Sequence, residues 1–193
     1  MAENYLPHGR MIKTYTRIPD YLRRGFDTAV EFTKGNACDG GYKGLLLLFG
    51  REAKLKRALN KLNGSLTHKY EKYNPILFSE ILLDLYHEMG DRDGGIAFDL
   101  DGNLLGTEVL VERVCDRGLK ETMAEVMRRK GNGHESAERH RAGCYASKRG
   151  VPSVVVSEEM GTVITFRGGG ILQELFYDPL SDHEMTGIKN KEV

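Results

Sequence analysis

Five consecutive apolar residues, Leu45-Leu46-Leu47-Leu48-Phe49, stand between a glycine-rich stretch (35–44) and the turn Gly50-Arg51-Glu52. A run this short falls far below the ~20 residues a helix needs to cross a bilayer. With no polar residue at alternate positions it reads as a strand buried on both faces. Any fold built on it is therefore layered, with helices against the sheet. At 193 residues and 40% hydrophobic composition the chain is long enough for one substantial core.

Helical spacing recurs around that strand. Leu22, Phe26, Ala29 and Val30 place a helix over 21–34, and a second is expected over 53–62. Pro75 stands just before a wide apolar stripe from Ile76 to Met89. Further helices are expected over 118–130 and 136–147. Strands are expected at 96–100 and 104–111, joined by the hairpin turn Asp101-Gly102-Asn103, and at Val154-Val155-Val156, 162–167 and 171–174. The first 20 residues, with Pro7 and Pro19, read as an irregular segment, 21–177 as a single domain, and 178–193 as a polar tail. Helices alternate with hairpins, so the expected class is α/β (α+β) with a mixed central sheet flanked by helices.

Bulk charge excludes little and directs little. Lysines and arginines balance aspartates and glutamates at a net charge of zero, so nothing global favours nucleic acid or an anionic membrane. The local basic run Arg51, Lys54, Lys56, Arg57 and Lys61 reads as a solvated helix face. A duplex-binding role for that face would show a steep salt dependence and ranks lowest. Cys38, Cys115 and Cys144 are an odd count without metal-like spacing, and no apolar segment follows Met1. A reduced, soluble, cytoplasmic chain is the expectation.

Chemistry concentrates in three places. Arg139-His140-Arg141 flanks an imidazole with two guanidinium forks suited to phosphate. On a helix the two arginines point about 200° apart. Both reach one ligand only at a helix start, where free backbone N–H groups add anion affinity. Otherwise one binds ligand and the other pairs with a neighbour such as Glu135 or Glu138. Asp93 before Gly94-Gly95 is either a turn former or a carboxylate for a triphosphate-bound cation or a ribose hydroxyl. Ser157-Glu158-Glu159 ends a buried strand, where ligand crevices commonly open. Gly168-Gly169-Gly170 lacks the Lys-Ser/Thr of a phosphate loop.

Taken in order, these pieces resemble the diadenylate cyclase domain, the nucleotide-binding domain of the DNA integrity scanning protein. The family's Asp-Gly-Ala turn reads here Asp93-Gly94-Gly95. Its Gly-Thr-Arg-His-Arg motif reads Ala137-Glu138-Arg139-His140-Arg141. Its Ser-Glu-Glu-x-Gly-Thr reads Ser157-Glu158-Glu159-Met160-Gly161-Thr162. The likeness spans roughly 45–175. It implies condensation of two ATP molecules into cyclic di-AMP and pyrophosphate where two copies of the domain self-associate face to face, with Mg2+ or Mn2+. By the same resemblance Asp93 is the catalytic, metal-associated carboxylate, and Gly94 and Gly95 line the nucleotide. Glu138, Arg139, His140, Arg141 and Ser157 lie along the phosphates, and Glu158 or Glu159 completes the metal site. Glu138 stands where the family has threonine, which keeps open a catalytically silent nucleotide- or cyclic-dinucleotide-binding sensor. The stretch 116–135 is longer than the family's usual connection and is placed to lid the site or regulate self-association.

Overall fold

A computed structural model describes residues 2–6, 10–14, 17–35, 44–63, 79–89, 94–111, 119–130, 137–157 and 161–177. Among these, nine strands form a mixed sheet in the order β1-β2-β9-β8-β7-β3-β5-β6-β4. The strands are β1 (Ala2–Leu6), β2 (Arg10–Thr14), β3 (Leu45–Phe49), β4 (Leu59–Asn63), β5 (Gly95–Phe98), β6 (Leu104–Val111), β7 (Ser153–Val156), β8 (Val163–Arg167) and β9 (Gly170–Tyr177). The helices are α1 (Asp20–Gly35), α2 (Glu52–Ala58), α3 (Ser79–Met89), α4 (Lys120–Lys130) and α5 (Ala137–Lys148).

The apolar run becomes β3, which is parallel to β5 on one side and antiparallel to β7 on the other. Its side chains alternate between two cores, as the two-residue strand period requires. Leu45, Leu47 and Phe49 meet α1 and α3 through Leu22, Phe26, Leu82 and Leu85. Leu46 and Leu48 face the other way, toward Leu55 of α2, Met123 and Val126 of α4, and Cys144 and Ala146 of α5. Layers on both sides are why five apolar residues in a row are tolerated here. Phe49 anchors the first face, with its ring 5.9 Å from both Tyr21 and Phe98.

Helix α5 lies close against the second face. A Cβ on Gly143 would fall 2.5 Å from Val155 Cγ2 and 2.9 Å from Ser153 Oγ, so only glycine permits this approach. The Ser153 hydroxyl donates to the Gly143 carbonyl at 2.9 Å, fixing the helix on the strand. The chain then turns through Arg149 and Gly150 into β7, so α5 and β7 run in opposite directions.

Three expectations change. Residues 1–20 contain β1 and β2, and β2 pairs antiparallel with β9 from Arg10↔Tyr177 to Thr14↔Gln173. Those strands depend on the open edge of β9, a partner that no local pattern announces. The expected 53–62 helix stops at Ala58 and continues as β4 along β6. Strand β9 extends beyond 171–174 because it is paired on both sides, by β8 and β2. The expected 118–130 helix is α4, which packs into the second core: Leu119, Met123 and Val126 are buried, and Thr122 Oγ1 donates to Gly169 O at 2.8 Å. The expected polar tail, 178–193, lies outside the described residues.

Candidate functional site

Strand register brings the three sequence motifs to one end of the sheet. Leu47 pairs with Ile96 in the parallel β3–β5 ladder, so Gly95 sits beside Leu46 at the start of both strands. Leu45 pairs with Val156 in the antiparallel β3–β7 ladder, which puts Ser157 at the same end. Gly143 of α5 packs on Val155 and Leu46. Arg139 lies four residues earlier on that helix, one turn (about 6 Å) nearer the end that holds Gly95 and Ser157.

Helix geometry then sorts the arginine–histidine triplet. At about 100° per residue, Arg139 and His140 flank the direction of Gly143, whereas Arg141 and Glu138 fall on the opposite side. Burial agrees: Arg139 is half-buried, and Arg141 and Glu138 are exposed. His140 is fully buried, with its ring edge-on to Phe166 of β8 at 6.5 Å and 87°. The imidazole therefore lies in the core between α5 and the sheet, one step round the helix from Arg139. The Glu138 side chain is exposed, on the solvent side of the helix.

Ser157 is 1% exposed, and its hydroxyl has no hydrogen-bond partner among the described residues. Its backbone is committed: the N–H donates to Thr162 O at 2.9 Å, and the carbonyl accepts from Gly161 N at 3.2 Å. A buried hydroxyl without a partner calls for a ligand or an ordered water.

Across the sheet, Gly94 adopts φ +145°, and a Cβ there would fall 2.7 Å from the Cα of Glu108. Glu108 itself has φ +54° at an irregularity in the β5–β6 ladder. A non-glycine residue in this region costs about 1–2 kcal/mol, which the neighbouring ladder must offset. Thr107, directly before it, is fully buried, with Oγ1 unpartnered among the described residues. Both residues were missed in the sequence. They lie within an ordinary strand pattern, and nothing local marks a bulge at that point.

Asp93, Glu158 and Glu159 lie outside the described residues. Among the described residues no group of three or more His, Cys, Asp or Glu side chains could hold a metal ion. No described helix is long and apolar enough to cross a membrane. No protein-family model and no curated protein matches the chain.

Proposed function

We propose that the chain is a diadenylate cyclase, joining two ATP molecules into cyclic di-AMP with release of pyrophosphate. The observation that carries this reading is the convergence of Gly94-Gly95, Arg139 and Ser157, distant in sequence, at one end of β3, β5 and β7. In each half-reaction a ribose 3′-oxygen bonds to the α-phosphorus of the facing ATP, the bond from that phosphorus to the β-phosphate bridge breaks, and the hydroxyl proton is lost. Such a reaction needs in-line placement and charge neutralisation more than covalent help.

Each residue has a part consistent with its setting. Arg139 neutralises phosphate at the strand ends, and Ser157 Oγ donates to a phosphate or sugar oxygen. His140 positions α5 from within the core. Arg141, on the solvent side, acts on phosphate only when a second copy approaches, in keeping with a reaction shared between two domains. The glycines at 94 and 95 let a nucleotide lie against the backbone. Asp93 is assigned the catalytic carboxylate, and Mg2+ or Mn2+ would supply charge neutralisation on the triphosphate.

Purified protein incubated with ATP and Mn2+ or Mg2+ should yield cyclic di-AMP by mass spectrometry, and Asp93→Asn should abolish it while leaving the melting temperature unchanged. Saturable ATP binding with no product would replace the cyclase with the sensor. Product formed at the native rate by Asp93→Asn would remove Asp93 from the mechanism.

A further inference from the structure

At the opposite end of the sheet, beyond the carboxyl ends of β3 and β8, lies a cleft of about 510 Å3. Its size is that of a small-molecule site. Among the described residues four cations line it, drawn from three parts of the chain: Arg51 and Lys54 after β3, Lys148 at the end of α5, and Arg167 at the end of β8. No carboxylate is among its described lining residues.

By sequence Arg51, Lys54, Lys56, Arg57 and Lys61 read as one solvated face, but the tertiary structure divides them. Lys56 pairs with Glu52 on the outer side of α2. The Arg57 carbonyl accepts from Arg149. Arg51 and Lys54 turn toward the cleft instead. A Cβ on Gly150 would fall 2.6 Å from Lys54 Nζ, so the lysine head lies directly across that turn. None of the four cleft cations has a carboxylate partner among the described residues.

Four exposed positive charges gathered in one cleft attract an anion. The floor is preformed. Phe49 and Gly50 are buried, Gly50 N donates to Phe98 O, and Gly168 N donates to Ser147 O. Tyr21 forms a side wall near Arg167, and burial raises its pKa, so at neutral pH the phenol is an uncharged donor.

We propose that this cleft is a second ligand site, separate from the Arg139 end, for a small molecule carrying two or more linked phosphates. An isolated carboxylate or single phosphate would leave most of the four cations unmatched. A nucleic acid would need an extended basic stripe rather than a cleft of this size. Occupancy at one end and chemistry at the other would be joined through β3, which contributes Phe49 to the cleft and Leu45 to the opposite end.

Inorganic tripolyphosphate is the probe, titrated calorimetrically at low salt into full-length protein carrying Arg139→Gln, so that phosphate held at the other end does not contribute. Saturable binding is expected, weakened at least tenfold by adding Lys54→Gln and Arg167→Gln. Arg51→Gln with Lys148→Gln should do the same, which guards against a folding artefact of one pair. No saturable binding in the Arg139→Gln protein, or binding that survives both pairs, overturns the second site. Neither result depends on whether the protein makes cyclic di-AMP.

Discussion

Gly143→Ala tests whether the close approach of α5 to the sheet is what sets the candidate site. The new methyl would sit 2.5 Å from Val155 Cγ2, against about 3.5–4.0 Å for an ordinary carbon contact, an overlap of about 1 Å. Val155 cannot yield, because it is fully buried on a strand between two others and its branched side chain is confined in χ1. The helix must therefore rise. Overpacking of this kind costs about 1–3 kcal/mol. Alanine recovers about 1 kcal/mol through its better helix propensity. The lengthened Ser153–Gly143 hydrogen bond, 2.9 Å in the native chain, removes about 1 kcal/mol more. The sum is a net loss of about 1–3 kcal/mol, read as a shift in the denaturation midpoint by equilibrium unfolding in urea. Val155→Ala alone leaves a cavity and is destabilising in its own right. Combined with Gly143→Ala it removes the larger overlap and leaves only the 2.9 Å approach to Ser153 Oγ, so the double variant should be more stable than the two single losses predict. Stabilisation by about 1 kcal/mol in Gly143→Ala, the pure propensity effect, or strict additivity in the cycle, would refute the reasoning. Because Arg139 rides on the same helix, any ATP affinity under the proposed function should fall in the single variant and recover in part in the double.

Three further outcomes follow from particular contacts. Gly94→Ala should cost more than about 2 kcal/mol in the same unfolding assay, since it adds a strained φ to a 2.7 Å contact with the Glu108 backbone. Asp99→Ala should lower stability by about 1–2 kcal/mol, because Asp99 Oδ1 accepts from the N–H groups of Asp101 and Asn103 at 2.9 and 2.8 Å in the β5–β6 turn. Cys144 is buried, with its thiol pushed up to about 11 by desolvation. A raised pKa means the folded state holds the proton more tightly than the unfolded chain. This contribution is complete below the unfolded value near 9 and lost as pH rises through about 11. Chemical denaturation midpoints should fall over that window, more steeply than in Cys144→Ala, and native Cys144 should resist thiol reagents at pH 8.

Much of the architecture was legible because it is written in local periodicity. The apolar run 45–49, the stripe of 21–34, the Asp101-Gly102-Asn103 turn and the valines of β7 all became the elements their spacing implied, since each buries its face against any suitable partner. Elements that needed a particular partner escaped. Strands β1, β2 and β4 carry no strong pattern of their own: β2 pairs with β9, β1 with β2, and β4 with β6.

The same division holds for the chemistry. From the sequence alone came the residue types, the 200° separation of Arg139 and Arg141, and the placement of Ser157 at the end of a buried strand. Only the tertiary structure decided that His140 lies in the core against Phe166, and that Arg139 is half-buried while Arg141 and Glu138 are exposed. It also set Glu108 at positive φ beside Gly94, and gathered Arg51, Lys54, Lys148 and Arg167 into one cleft. The physical reason is range. Periodicity and turn chemistry act over a few residues, whereas burial and convergence depend on strand register between residues as far apart as Leu45 and Val156.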